Sequence, residues 1–372
     1  MSSPDPFVPT RDTVVFVSMS RGIGGPARSL LTVLDNLSDD LDRVLYAPRG
    51  DLVRLAQGQA IEGQLPMPYR LRFRHLSRLR AAVRLARYVR RHRRHIVAIH
   101  ANGQTELNLA ALAMLLARVP VVMWAHTSKA SPTAGALRLL WRRAGHRVRW
   151  LAVSETARDT LVATLGIPTD DVALVRNPID PEQVVTGAVP HEGVRVGYLG
   201  LAALHKGFDL LAPIIRELGR DDIGIDLYVA PPAPHTPVPL RRPWEELNEL
   251  SVDLDITLPG RVLDVRRAFA NCDIVLCPSR NESFGRIAAE AMMNGLPVVA
   301  SDIPAYRDLV GETGAGILFP LDDASAAAAA ICRLADDPHL RDAMGQRGRE
   351  HVQRYTPQRI VPQLESHYRN RA

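Results

Sequence analysis

The sequence is nearly without lysine: of its 46 cationic side chains, all but Lys129 and Lys206 are arginine. The bias itself says little about chemistry, but it draws attention to a lysine retained in a loop. Cysteine is as scarce. Cys272, Cys277 and Cys332 form an odd set without metal-ligand spacing, which argues against a disulfide framework and for a reducing, cytoplasmic setting. Long apolar runs are missing too. The longest, Leu107 to Ala117, is broken by Asn108 and stops at Arg118, too short to cross a bilayer. Met1 to Pro9 has neither the basic nor the apolar region of a signal peptide, so none is expected. No GxGxxG follows the first apolar segment, which disfavours a dinucleotide, and no Asp-x-Asp follows a strand, so metal independence is expected.

What is present reads as an α/β protein. At 372 residues and 46% hydrophobic content the chain has material for two globular cores. Short apolar segments alternate with helical ones. Thr13–Met19, Arg43–Ala47, Ile96–His100, Val121–Trp124, Val148–Val153 and Val172–Val175 read as strands. Between them lie a helix opened by Pro26, another over Glu106–Leu116, one near Leu137–Ala144 and one capped by Ser154. Asn177–Gly193, with three prolines and two glycines, interrupts the rhythm and is assigned as a linker. Strands then resume at Val194–Leu199, Asp226–Val229, Ile256–Leu258, Asp273–Cys277, Pro297–Ala300 and Gly316–Phe319, and two helices from Pro338 and Pro357 close the chain. The expected domains are residues 1–178 and 194–356, with the helix at about 357–372 packing back on the first. Alternation of this kind means two doubly wound, mainly parallel sheets, and a cleft between such domains is the default ligand site.

Five loops at expected strand ends carry possible chemistry. Asn281-Glu282-Ser283-Phe284-Gly285-Arg286-Ile287-Ala288-Ala289-Glu290 puts two carboxylates across a loop that becomes a helix. Gly285 lets backbone N–H groups approach a ligand, the helix start attracts an anion, and the carboxylates accept from hydroxyls. A sugar nucleotide carries both groups. The alternative is that the glutamates only favour the helix start. Gly24 and Gly25 form a possible anion cradle or merely a tight turn. His126 follows a strand and either donates to a sugar hydroxyl or packs inside, as His100 could. Lys206, expected to open a helix, is a possible point-charge partner for a diphosphate or a solvated lysine. Leu258-Pro259-Gly260-Arg261-Val262 could meet a nucleobase through its backbone.

Together these segments resemble the retaining glycosyltransferases of family 4, which have the GT-B fold. The resemblance runs nearly full length and is most specific in GYLG…HKGFDLL, LPGRV, NCDIVLCPS, ESFGRIAAE and GLPVVAS, with Glu282 and Glu290 matching the E-x7-E motif. It implies transfer of a sugar from a nucleoside-diphosphate sugar, of UDP or GDP, to a hydroxyl acceptor, with no cofactor or metal and with the donor diphosphate as base. It implies that Glu290 binds the ribose hydroxyls, that Glu282 with the Phe284 and Gly285 backbone holds the donor sugar, and that Lys206 neutralises the diphosphate. His126 would face the sugar's 6-position, and Gly24 and Gly25 the phosphate and acceptor side. Ser283, Arg286, Ile287, Arg261 and Val262 complete the donor-binding set. One departure is Leu201, where the family usually has arginine; Arg28, Arg280 and Arg286 are the candidates to replace its charge.

Charge divides unevenly. Residues 1–180 hold 26 of the 46 cations but only 14 of the 40 carboxylates, which suggests an anionic partner for this half. Arg70–Arg94 has eleven arginines and no acidic residue, with Leu76, Leu79, Val83, Ala86 and Val89 or Tyr88 at helical spacing. This is the pattern of a basic amphipathic helix on an anionic membrane, or of a solvated arginine-rich helix. A second cluster, Arg138, Arg142, Arg143, Arg147 and Arg149, adds to the first reading. Without interleaved aromatics, nucleic acid is not expected. The expected location is the cytoplasm, peripheral on the inner membrane face if the helix docks, and the acceptor would then be lipid-linked or membrane-borne. A nucleotide-sugar epimerase of the same fold and a non-catalytic sugar-nucleotide-binding protein remain the rival readings.

Overall fold

The computed structural model describes residues 7–57, 61–67, 74–127, 147–185, 187, 189–232, 238–260, 262 and 264–369. The chain divides into two compact units, one of Met1–Pro178 with Pro357–Ala372 and the other of Ile179–Thr356.

The first unit runs β1 (Thr13–Val17), α1 (Gly25–Asn36), β2 (Asp42–Ala47), α2 (Asp51–Ala56), β3 (Gly63–Pro66), α3 (Arg74–Arg91), β4 (Ile96–Ala101), α4 (Gln104–Ala117), β5 (Val121–Ala125), β6 (Val148–Ala152), α5 (Glu155–Leu165) and β7 (Val172–Leu174). Its sheet has the order β3-β2-β1-β4-β5-β6-β7, every pairing parallel. Strands covered on both faces are mostly apolar, and all five residues of β1 are buried, Val14, Val15, Phe16 and Val17 apolar and Thr13 polar. Ser154 caps α5 by accepting from the Ala157 N–H at 3.1 Å. The order reverses between β1 and β4, neighbours in the register Val17 to Ala101. The loops after these two strands therefore flank the crevice where a doubly wound sheet takes its ligand.

The second unit repeats the scheme with β8 (Val194–Leu199), α6 (Leu211–Leu218), β9 (Ile223–Tyr228), α7 (Val238–Leu250), β10 (Ile256–Thr257), α8 (Val265–Ala270), β11 (Ile274–Cys277), α9 (Arg286–Met293), β12 (Val298–Ser301), β13 (Gly316–Phe319), α10 (Ala324–Asp336) and α11 (Pro338–Val352). The sheet order is β10-β9-β8-β11-β12-β13, again parallel throughout, with its reversal between β8 and β11. Its core gathers Phe208, Leu211, Ile214, Leu227, Ile274, Val299, Phe319 and Ile331.

The last helix, α12 (Pro357–Arg369), belongs to the first unit. Tyr368 is fully buried, its ring 6.0 Å from Phe16 and its hydroxyl 2.8 Å from His100 Nδ1. His100 is thus a packing histidine, held neutral because burial drives its pKa down to about 3. Around this contact the Ser38 N–H donates to Glu365 at 2.7 Å and Arg149 donates to the His367 carbonyl at 2.7 Å.

Two expectations need correction. Lys206 does not open a helix. It ends a 3-10 turn, Leu204–Lys206, closed by Gly207 at φ +66°, and α6 starts only at Leu211. A Cβ on Gly207 would lie 1.9 Å from the Pro278 carbonyl oxygen, so the chain must turn here without a side chain. The apolar rhythm of α3 also splits in two. Ala82, Leu85, Ala86 and Val89 are buried, whereas Leu76 and Leu79 lie on the exposed side with Arg80 and Arg87. The expected helix near Leu137–Ala144, with Arg138, Arg142 and Arg143, lies outside the described residues.

Tyr368→Phe leaves a buried imidazole nitrogen without its partner, so a loss of about 1–3 kcal/mol is expected in urea unfolding. An unchanged midpoint would show that the hydroxyl contributes nothing to holding α12.

Candidate functional site

In the second unit the loops after β8 and β11 meet at the strand-order reversal. The first carries Lys206 and the second carries Glu282. Their side chains form an ion pair between Lys206 Nζ and Glu282 Oε1, with little of either open to solvent. The same oxygen accepts from Ser279 Oγ at 3.3 Å and from the Tyr306 hydroxyl at 3.5 Å. Three donors on one oxygen fix the carboxylate's place in the loop. Tyr306 is buried, and it also explains Gly285. That residue stands at φ +83°, and a Cβ there would lie 2.7 Å from Tyr306 Cε1. Gly285 caps α9 without a side chain, and the first turn of the helix has no acidic residue. The positive end of the helix is therefore not offset by a carboxylate of that turn.

Glu290, the fifth residue of α9, is 1% exposed. Its Oε1 accepts from Arg286 Nε at 2.7 Å, while its Oε2 has no hydrogen-bond partner among the described residues. Of the remaining expected residues, Phe284 is buried with its ring 5.4 Å from that of Tyr355, and Ser283, Ile287 and Val262 are half-buried. Arg261 lies outside the described residues.

The first unit supplies a second group. Gly24 and Gly25 are exposed at the start of α1, and a Cβ on either would meet nothing within 4 Å. Packing does not require glycine here. Gly24 caps α1 without a side-chain acceptor, and the first turn again lacks an acidic residue. His126, just past β5, is half-buried with its ring 4.4 Å from Trp124, and its Nε2 lies 2.9 Å from Asn102 Oδ1. The Asn102 amide also donates to the Pro26 carbonyl at 3.2 Å. Glu106, 8% exposed, accepts from the Met19 N–H at 2.8 Å, and burial raises its pKa to about 7.

Comparison with known proteins decides the family. Residues 193–337 match a family of group 1 glycosyl transferases, and residues 23–183 match Glycosyltransferase Family 4. A phosphatidyl-myo-inositol mannosyltransferase of Mycolicibacterium smegmatis is 30% identical over 69% of this chain and 67% of its own length. The chain belongs to glycosyltransferase family 4.

A D-inositol 3-phosphate glycosyltransferase of Corynebacterium glutamicum is 27% identical over 89% of this family 4 chain and 86% of its own. A glycosyltransferase from Rickettsia africae superposes with a TM-score of 0.83 at 16% identity, covering 96% of this chain and 98% of that one. Anabaena HepE in complex with UDP-glucose gives 0.81 at 19%, covering 95% and 98%. Both show the GT-B fold of this family 4 glycosyltransferase.

Leu201, where the resemblance leads one to expect arginine, is 53% exposed. Within the second unit neither expected substitute has charge to spare. Arg280 binds both oxygens of Asp209 at 2.6 and 2.8 Å, Asp322 at 2.6 Å and the Leu204 carbonyl at 2.6 Å. Arg286 is buried against Glu290. Arg28 lies in the first turn of α1 in the other unit. The residues that sequence reasoning passed over are Ser279, Tyr306, Asn102 and Glu106. Asn102 and Ser279 could have been found, since each follows a strand's carboxyl end as His126 does. Nothing local marks Tyr306, which reaches Glu282 from another element.

A carboxyl whose pKa is raised on folding stabilises the native state fully below its unfolded pKa, near 4.5, and loses that contribution as pH rises through about 7. Glu106→Gln removes this titration while keeping an oxygen for the Met19 N–H. The melting temperature of the variant relative to wild type should therefore climb from pH 5 to pH 8. A difference independent of pH would contradict the assignment.

Proposed function

We propose that the chain is a retaining glycosyltransferase that takes its sugar from a nucleoside-diphosphate sugar, of UDP or GDP, and needs no metal. The observation that carries this reading is the buried Glu290, whose Oε2 has no hydrogen-bond partner among the described residues, in the helix that follows the loop whose Glu282 pairs with Lys206 at the strand-order reversal. An unspent buried acceptor suits the ribose hydroxyls. Lys206 offers the one lysine charge of the second unit to the diphosphate, and the N–H groups at the start of α9 add to it. Diphosphate binding would draw Lys206 from Glu282 and leave that carboxylate to accept from sugar hydroxyls. The departing phosphate oxygen then takes the acceptor proton on the same face, so no protein nucleophile is needed. Gly24, Gly25 and His126 serve the phosphate, the acceptor and the sugar's 6-position.

We take the acceptor to be anionic, presented at a membrane surface. The names of both relatives contain a phosphorylated inositol, and the cation excess of residues 1–180 supports the same view. On α3, Leu79, Arg80, Val83, Arg84 and Arg87 line a groove of about 440 Å³. Among the described residues no helix is long and apolar enough to cross a membrane; the helix would lie on the surface, each arginine near it contributing roughly 1 kcal/mol.

Incubation with UDP-, GDP-, ADP- and dTDP-sugars tests the catalytic reading. One donor should be turned over with retained anomeric configuration, and Lys206→Ala and Glu282→Ala should each lower kcat by about a hundredfold or more. An inverted product would overturn the mechanism. Donor binding without any turnover would favour the non-catalytic reading that Leu201 suggests. Flotation with phosphatidylglycerol vesicles tests the surface: the protein should float at low salt and less so as Leu79→Glu, and failure of wild type to float would end the membrane reading.

A further inference from the structure

The corner between β4 and α4 does more than connect them. Asn102, 5% exposed, lies where the first sheet's strand order reverses, and its N–H donates to the Val17 carbonyl at 3.1 Å, which pins it to the end of β1. Its side chain spans two loops. Nδ2 donates to the Pro26 carbonyl in the first turn of α1, and Oδ1 faces His126 Nε2. The partners settle the proton. A carbonyl only accepts, so the NH2 must face Pro26. The amide oxygen that then faces the ring also only accepts, so His126 must carry a proton on Nε2. Four residues on, Glu106 takes the Met19 N–H at the start of the glycine loop. One short segment thus holds both ends of that loop and the ring beyond β5.

We propose that Asn102 is a positioning residue that fixes the Nε2–H tautomer and orientation of His126 and ties the ring to the glycine-bearing start of α1. Its effect on turnover rests on the proposed role of His126, but its hold on the ring does not. An imidazole with one nitrogen committed to a buried amide keeps a single orientation. A leucine of similar size removes that hold on Nε2.

The experiment combines kinetics with nitrogen-15 NMR of the His126 ring in the full-length protein. Asn102→Leu should lower kcat about tenfold to a hundredfold and leave UDP or GDP affinity unchanged, because the nucleotide is assigned to the second unit. Combined with His126→Ala it should be no slower than His126→Ala alone. The ring of Asn102→Leu should show mixed tautomers. Asn102→Asp keeps the acceptor for Nε2–H but not the donor to Pro26, so its ring should retain the Nε2–H signature. A pure Nε2–H signature in Asn102→Leu, or its loss in Asn102→Asp, would overturn the proposal. So would multiplicative losses in the double variant. If His126→Ala is itself fully active, the catalytic role of His126 fails while the NMR result still decides what Asn102 does.

Discussion

A carboxylate placed in the interior with an oxygen that no described residue serves is an expense that folding alone does not justify. Leaving a buried acceptor unmade costs about 1–3 kcal/mol, and Glu290 is in that position. The Arg286 guanidinium four residues earlier takes the other oxygen and makes burial tolerable. The second unit keeps an acceptor in a dry place, one turn behind a helix start whose positive end no acidic first-turn residue offsets. Hydroxyls and an anion on one ligand satisfy both. In the loops before that helix, the Lys206–Glu282 pair holds a cation and an anion together, which the proposed diphosphate and sugar would draw apart.

Topology explains why these groups meet. Both sheets are wholly parallel, and each reverses its strand order once. At such a reversal the loops of two adjacent strands diverge, and the space between them cannot be closed by either connecting helix. The second unit places Lys206 and Glu282 there, and the first places the glycine loop and Asn102. Two glycines with left-handed backbone stand where the chain must pass something immovable. Gly207 passes the Pro278 carbonyl, and Gly285 passes the Tyr306 ring.

Most strands were legible in the sequence because parallel strands buried on both faces read as uninterrupted apolar runs between polar loops. The helices that escaped notice had weak patterns. α7 contains Pro243, and α10 is mostly alanine, which shows no face. The E-x7-E stretch was legible since its residues lie within one loop and one helix. Long-range contacts were not. Tyr306 reaches Glu282 from beyond β12, Asn102 reaches His126 from the neighbouring strand, and Asp209 with Asp322 neutralises Arg280, which the sequence left as a spare cation. Side-chain spacing along a chain carries no information about such meetings. The basic segment shows the same limit: its rhythm was visible, but only the packing of α3 shows which apolar residues turn inward.

The claim on which the rest depends is that Glu290 receives hydroxyls of a nucleotide sugar, and calorimetric titration tests it directly. Wild-type protein should bind a UDP- or GDP-sugar. Glu290→Ala should weaken that binding about tenfold or more, as expected for losing hydrogen bonds to a charged acceptor, while His126→Ala leaves the free nucleoside diphosphate bound as before. Equal affinity in wild type and Glu290→Ala would contradict the account, because the buried oxygen would then serve no ligand.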